Sequence, residues 1–431
     1  MSELPIFPQE RNTMVSWTNA RQSAARRVIW LAAFSAAACL VIPKGLVLFA
    51  SCLLLATMLR PEALLRAPEA PGRSLLWLAG IPLLVLAVTG ISMVHSGQGW
   101  RVLDNPSRLL LIPWCACLAW ALGLTRRSLW LGAMVGLAVA FAVAVLQSAG
   151  GSQRADAGAN PIVFANAVLV LLVMAVFCRP VGRDPWVLVA LASSVALAVV
   201  AIVLSGSRGV LPGLAIVLLV LLVGGDARRR WWRLGLSAGG VMLFFSLLWS
   251  IPWLSAQTRL DDVQADWNGY AKGQVDTPIG ARLALLSLAG DAFRRAPWTG
   301  VGIDRFGEEV ARAPYCRSAP RHLCDLEHAH NDVAQWSATM GVPGLLALLA
   351  IYGVPLGVVA SQLRRARPPS PVGAGWAAGI LIVTYMLSGL TQSMFAHATT
   401  VSAYAVFVGL LLGIALSETE AGQSEDAPIR R

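Results

Sequence analysis

This chain has little charge. Only 13% of its 431 residues are Asp, Glu, Lys or Arg, against 56% that are hydrophobic, and its mean hydropathy is +0.64. So little charge excludes an ordinary soluble enzyme, whose surface must be solvated. Internal repeats and low-complexity tracts are absent as well, which argues against a solenoid and against a linker-joined pair of domains. Histidine is scarce: five are present, at positions 95, 322, 328, 330 and 397.

Long apolar runs are what is there. Spanning a hydrocarbon core takes roughly 17 to 25 apolar residues, and helices satisfy every backbone group without water. Twelve candidate spans lie near residues 28–43, 45–60, 75–95, 108–124, 128–149, 161–178, 186–205, 209–224, 234–254, 333–362, 374–395 and 399–416. The expectation is a polytopic, all-α membrane protein of twelve transmembrane helices, forming one membrane domain over residues 1–431. Ionisable residues fall almost wholly between the spans, with Arg60, Arg108 and Asp332 at span ends. Proton-coupled pumps keep such groups inside their helices, so this pattern counts against that class.

Orientation follows from the basic residues, which accumulate in cytoplasmic loops. With both termini inside, the inner segments hold 20 of the 34 basic residues and a net charge of +10, leaving +1 outside. The basic character of the chain is then a matter of topology, and nucleic acid is not an expected partner. The same assignment puts all five histidines outside, a hint of external chemistry. The N-terminus makes a poor signal peptide, because 27 polar and basic residues precede the first apolar run; helix packing accounts better for the small residues of AFSAAAC. Cysteines 39, 52, 115, 117 and 178 sit in spans as packing residues. Cys316 and Cys324 share the large outer loop, where an oxidising compartment would join them in a disulfide; two free thiols are the alternative. The tail SETEAGQSEDAPIRR, residues 417–431, reads as disordered and cytoplasmic.

One connection stands apart in length. Residues 255–332 form nearly eighty polar, outward residues between spans nine and ten, and a loop of that size is usually functional. Its middle reads as a helix with Thr277 as N-cap and Pro278 in the first turn, carrying Arg282 near its start and Leu285, Leu288, Ala289, Ala292 and Phe293 on one face. Pro297 and the glycines of APWTGVGIDRF then break the helix and turn the chain back towards the membrane. The loop reads as a lid over a helical bundle.

Two constellations could carry chemistry. In SGSRGVLPG, residues 205–213, Arg208 stands between Gly206 and Gly209 where span eight begins at the outer surface. Unpaired N–H groups and the positive end of the helix dipole favour an anion there, and a guanidinium grips phosphate bidentately. An arginine reaching for lipid headgroups is the plainer reading. The second is EHAHNDVAQWSATMGVPG, residues 327–344, where His330 and Asn331 precede another outer helix start. His330 suits a general base near pH 7. A helix cap and a metal site with His328 are the rivals; an i, i+2 pair shares a face only on an extended strand, and no further histidine stands at a ligand spacing. Asp261 and Asp262 read as solvated surface. With no glycine-rich nucleotide loop inside, the energy of any reaction must arrive with the substrate, as a lipid-linked diphosphate would bring it.

The stretch HNDVAQWSATMGVPG, with His330, Asn331, Gly341 and Gly344, resembles the signature of the bacterial O-antigen ligases of the WaaL type. SRGVLPG at 207–213, NPIVFAN at 160–166 and GARLALLSLAGDAFRRAPWTGVGIDRF at 280–306 are similar to the wider ligase and polymerase superfamily. The resemblance covers roughly residues 145–350. It implies a metal-independent, inverting glycosyltransferase, with a GT-C-like helical bundle and one large periplasmic loop. Such an enzyme needs no cofactor. It would transfer a polysaccharide from undecaprenyl diphosphate to the lipid A-core of lipopolysaccharide, at the periplasmic face of the bacterial inner membrane.

Carried onto this sequence, the resemblance makes His330 the catalytic residue and Arg208 and Arg282 the donor diphosphate-binding residues. Arg154 in SQRADAGANP is a further candidate. Asn331 would be a supporting residue. Gly341 and Gly344 read as packing positions that let span ten approach a neighbour. An O-antigen polymerase and a protein O-oligosaccharyltransferase share this plan. The short remaining outer loops favour a ligase. A transporter of the lipid-linked glycan is an alternative of another class, and it would show related halves and polar residues along its helices.

Overall fold

The structure, a computed structural model, describes residues 8–65, 72–182, 184–223, 266, 268–269, 275, 277–317, 322–365 and 373–425. Every regular element among them is helical. The longer helices are α1 (Pro8–Ala38), α2 (Leu46–Leu59), α3 (Gly72–Ser96), α4 (Leu111–Ala121), α5 (Arg127–Ala149), α6 (Pro161–Phe177), α7 (Pro185–Ser205) and α8 (Leu211–Val223). They are followed by α9 (Pro278–Arg295), α10 (Phe306–Arg312), α11 (Asp332–Arg365), α12 (Ala374–Gly389) and α13 (Ala398–Glu425).

Eleven of the twelve expected spans coincide with helices, and the twelfth, 234–254, lies outside the described residues, as do Asp261 and Asp262. Among the described residues, five helices are long and apolar enough to cross a membrane: Arg73–Ser96, Arg127–Ala149, Pro185–Ser205, Asp332–Arg364 and Ala398–Glu420. Four more are apolar but shorter, at Leu46–Leu59, Pro161–Phe177, Arg208–Leu222 and Ala374–Gly389. The described residues are all-helical, with the apolar helices of a membrane protein.

A helix that is apolar all round belongs inside a bundle or in lipid. The two cases separate here by burial: 94% of the apolar window of α13 is buried, against 33% for α3. So α13 is central. It packs most extensively on α4, and Gly409 and Gly413 allow that approach, since a Cβ on Gly409 would sit 2.6 Å from the carbonyl oxygen of Ile112. At the rim, α3 leaves Leu83, Ile91 and Val94 exposed, as lipid contact allows. The alanines of AFSAAAC are buried in α1, which packs against α2 and α5.

The expected boundaries fail in three places. Span 28–43 ends as helix at Ala38. Helix α13 runs on to Glu425, into the segment read as a tail, and residues 426–431 lie outside the described residues. Most consequential, span 374–395 stops at Gly389. Leu390 to His397 then form a non-helical crossing with one 3-10 turn at Met394–Ala396. Contacts from α11 hold that crossing: Asn331 donates to the Leu390 carbonyl at 2.9 Å, and the Asp332 carboxylate accepts from the Phe395 N–H at 3.4 Å.

The segment before α11 carries its own small core. Ala284, Leu285, Ala289 and Ala292 of α9 pack with Phe306, Val310, Leu323, Ala329 and Ala338, so the segment rests on the start of α11. Thr277 caps α9 by accepting from the Gly280 N–H at 3.1 Å, with proline in the first turn, as the sequence predicts. The turn after α9 returns to the bundle. Val301 and Gly302 donate to the carbonyls of Ala338 and Thr339, and Ile303 donates to the Ser92 hydroxyl at 2.9 Å. Cys316 and Cys324 are joined in a disulfide.

Helix α11 is broken at Gly341, whose φ of 64° and ψ of −150° lie outside the helical region. The break frees the Val342 N–H, and the Pro297 carbonyl accepts it at 2.8 Å. Pro343 then falls in the first turn of the second half, where its missing N–H is harmless. The glycines are close-packing positions, but not against another span as expected. A Cβ on Gly341 would collide with the backbone of Pro297 and Trp298, and one on Gly344 would meet the Trp336 carbonyl oxygen across the break.

Candidate active site

Five segments converge on one cleft: the loop before α6 with the first turn of that helix, the turn between α7 and α8, Asp266, the start of α9, and the crossing between α12 and α13. Its cavity volume is about 130 Å³, and its walls include Arg154, Arg208 and Arg282 with Gly206, Gly209 and Thr391. All three sequence-predicted arginines therefore share one cavity.

The local sequence explains how each arginine is held. Gly206 ends α7 in the left-handed conformation, at φ 61°, that glycine adopts without strain. The chain reverses there and puts Arg208 in a 3-10 turn before α8. Arg154 secures this turn by donating to the Ser205 carbonyl at 2.8 Å and to the Ser207 hydroxyl at 3.1 Å. Ser207 in turn donates to the Pro161 carbonyl at 2.9 Å, at the start of α6. Asn160 caps that helix by accepting from the Ile162 N–H, which gives NPIVFAN its local role. Arg282 projects from the first turns of α9. Desolvation lowers its pKa first and the like charge of Arg208 second, as burial and a neighbouring cation each disfavour the charged form.

His330, Asn331 and Asp332 divide three tasks. Asn331 caps α11 by accepting from the Ala334 N–H at 3.0 Å while tying down Leu390. Asp332 is buried, and its carboxylate accepts from the Tyr352 hydroxyl at 3.3 Å and from the Phe395 N–H. His330 is not one of the residues that wall the cleft, but it is reached by the charge of Arg282. Its backbone is held at φ 51°, an uncommon conformation for a residue with a side chain, of the kind that recurs at functional positions. Its Nδ1 lies 2.7 Å from Oε1 of Gln392. Burial lowers the His330 pKa, the Gln392 hydrogen bond opposes that, and the positive charge of Arg282 lowers it further. The ring is thus neutral near pH 7 and is electrostatically coupled to the arginine-lined cleft.

Residues that the sequence reading missed come from the crossing. Thr391 lines the cleft, and its hydroxyl meets the Gly209 carbonyl at 3.5 Å. Gln392 is buried between two imidazoles, with Nε2 at 2.7 Å from Nε2 of His397. Burial first, then the two nearby histidines, lower the His397 pKa to about 4. The ring of His328 stands edge-on to that of His397 at 6.0 Å. Asp266 also lines the cleft. Among the described residues, no group of three or more His, Cys, Asp or Glu side chains is arranged to hold a metal ion.

The arrangement gathers guanidinium groups that can bind a polyanion, with an imidazole electrostatically coupled to one of them. Residues 193–349 match the family model described as O-Antigen ligase. That segment contains Arg208, Arg282 and His330, and leaves Arg154, Thr391 and Gln392 outside it. No curated protein matches the chain.

Proposed function

From an O-antigen ligase-family domain at residues 193–349, we propose that this protein is the inverting glycosyltransferase that ligates O-antigen polysaccharide to lipid A-core. Undecaprenyl diphosphate would carry the donor glycan, and the site would face the periplasm from the inner membrane. The observation that carries this reading is the cleft shared by Arg154, Arg208 and Arg282, electrostatically coupled to His330 through Arg282.

The chemistry follows from those groups. Arg208 and Arg282 grip the diphosphate, neutralising the charge that builds on it as the glycosidic bond breaks. Arg154 holds the turn that aims Arg208. The hydroxyl of a core sugar approaches the opposite face of the anomeric carbon, and Nε2 of His330 accepts its proton. The new C–O bond forms as the bond to the diphosphate oxygen breaks, and the electron pair leaves with undecaprenyl diphosphate. One displacement inverts the anomeric centre. The imidazolium then releases its proton, and the enzyme is restored.

The test is incubation of the purified protein with lipid-linked glycan and lipid A-core. Ligated lipopolysaccharide is the expected product. An elongated donor would make the protein a polymerase, and intact substrates would leave a transporter of the lipid-linked glycan.

A further inference from the structure

We propose that Gln392 is the positioning residue for His330, setting its tautomer so that Nε2 is the nitrogen that takes the acceptor proton; this rests on the base role proposed above. The geometry points there because one buried amide joins two rings. Oε1 of Gln392 lies 2.7 Å from Nδ1 of His330, and Nε2 of Gln392 lies 2.7 Å from Nε2 of His397. An amide oxygen only accepts, so Nδ1 of His330 carries the hydrogen and Nε2 is left with a lone pair. The amide nitrogen only donates, so Nε2 of His397 must accept, which requires that ring to be neutral. Burial and the neighbouring histidines favour the neutral His397 ring that this contact needs.

An amide also suits the charges present. The ionisable groups around His330 are Arg282 on α9, His328 in the segment before it, His397 from the crossing, and Asp332 on α11; Asp304 lies near His328 and Arg208 near Arg282. A carboxylate in place of Gln392 would stabilise the imidazolium and keep the base protonated at neutral pH. The neutral amide orients the ring without that penalty. Through Thr391, the same crossing touches the Gly209 carbonyl beside Arg208, so one short segment sets the base against the anion clamp.

The experiment compares full-length wild-type protein with Gln392→Leu, Gln392→Glu and His330→Ala, using lipid-linked glycan and lipid A-core across pH. Glu is isosteric with Gln and guards against a packing defect. Gln392→Leu is expected to lower kcat on the order of tenfold to a hundredfold, the loss seen when the orienting partner of a metal-bound imidazole is removed, with the donor KM unchanged. Leu removes a bond that raises the imidazole pKa and Glu adds a charge that raises it, so the acid limb of the pH profile shifts down for Leu and up for Glu. Wild-type turnover in both variants would overturn the proposal, as would a loss of kcat with the acid limb unmoved. Wild-type turnover in His330→Ala would overturn the base role itself, whatever the Gln392 variants do.

Discussion

Arg154 and Ser205 stand 51 residues apart and are joined by a 2.8 Å hydrogen bond from the guanidinium to the backbone carbonyl. This arginine therefore holds the turn that presents Arg208 as well as lining the cleft. Arg154→Ala should raise the donor KM ten- to a hundredfold, because a hydrogen bond from a charged group is worth about 1.5 to 3 kcal/mol. Steady-state kinetics against lipid-linked glycan check this. An unchanged KM would show that the turn holds itself.

In the proposed reaction Arg208 and Arg282 grip one diphosphate, so the planar fork matters more than the charge. Lysine keeps the charge and loses the paired geometry. Arg208→Lys and Arg282→Lys should each lower kcat/KM by more than about tenfold in the same ligation assay. Wild-type ligation by both would exclude a bidentate diphosphate clamp.

The pH dependence follows from the His330 environment. Burial and Arg282 push its pKa below the ordinary histidine value of about 6.5, with Gln392 pulling part of the way back. A base works when neutral, so activity should persist below pH 6.5 and fall only as pH drops through the lowered pKa. Arg282→Gln removes the positive neighbour and should move that midpoint upward. The kcat/KM profile of the two proteins reads both effects, and a midpoint above 6.5 in the wild type would contradict them.

The break in α11 makes a stability prediction with an internal control. Gly341 has φ 64° and lies against the backbone of Pro297 and Trp298, whereas a Cβ on Gly353, further along the same helix, would meet nothing within 4 Å. Gly341→Ala should destabilise the protein by more than about 1 kcal/mol, and Gly353→Ala should be neutral or slightly stabilising. Thermal unfolding in detergent distinguishes them. Equal melting temperatures would mean that the break is soft.

Helix positions were legible because length and hydropathy decide what can cross a bilayer, and Thr277 with Pro278 marked the start of α9 by local chemistry alone. Arg208, Arg282 and Arg154, which all line one cleft, were legible, the first two as cations near helix starts and the third through the family resemblance. Thr391 and Gln392 were not, because LTQSMF is apolar enough to read as the end of a span. What stops α12 is tertiary: Asn331 and Asp332, some sixty residues upstream, take the backbone groups of Leu390 and Phe395. Neither span pattern nor turn signal marks that pairing. The same holds for Gly341, which reads as a packing glycine until its left-handed backbone and its contact with Pro297 are seen.

The most direct measurement is ligation by His330→Ala in the purified system. General-base help is worth roughly 10²- to 10⁴-fold, about 3 to 5 kcal/mol of barrier, so ligated product should fall at least a hundredfold while the donor still binds through Arg208 and Arg282. Wild-type product from that variant would contradict the assignment of His330 as the base.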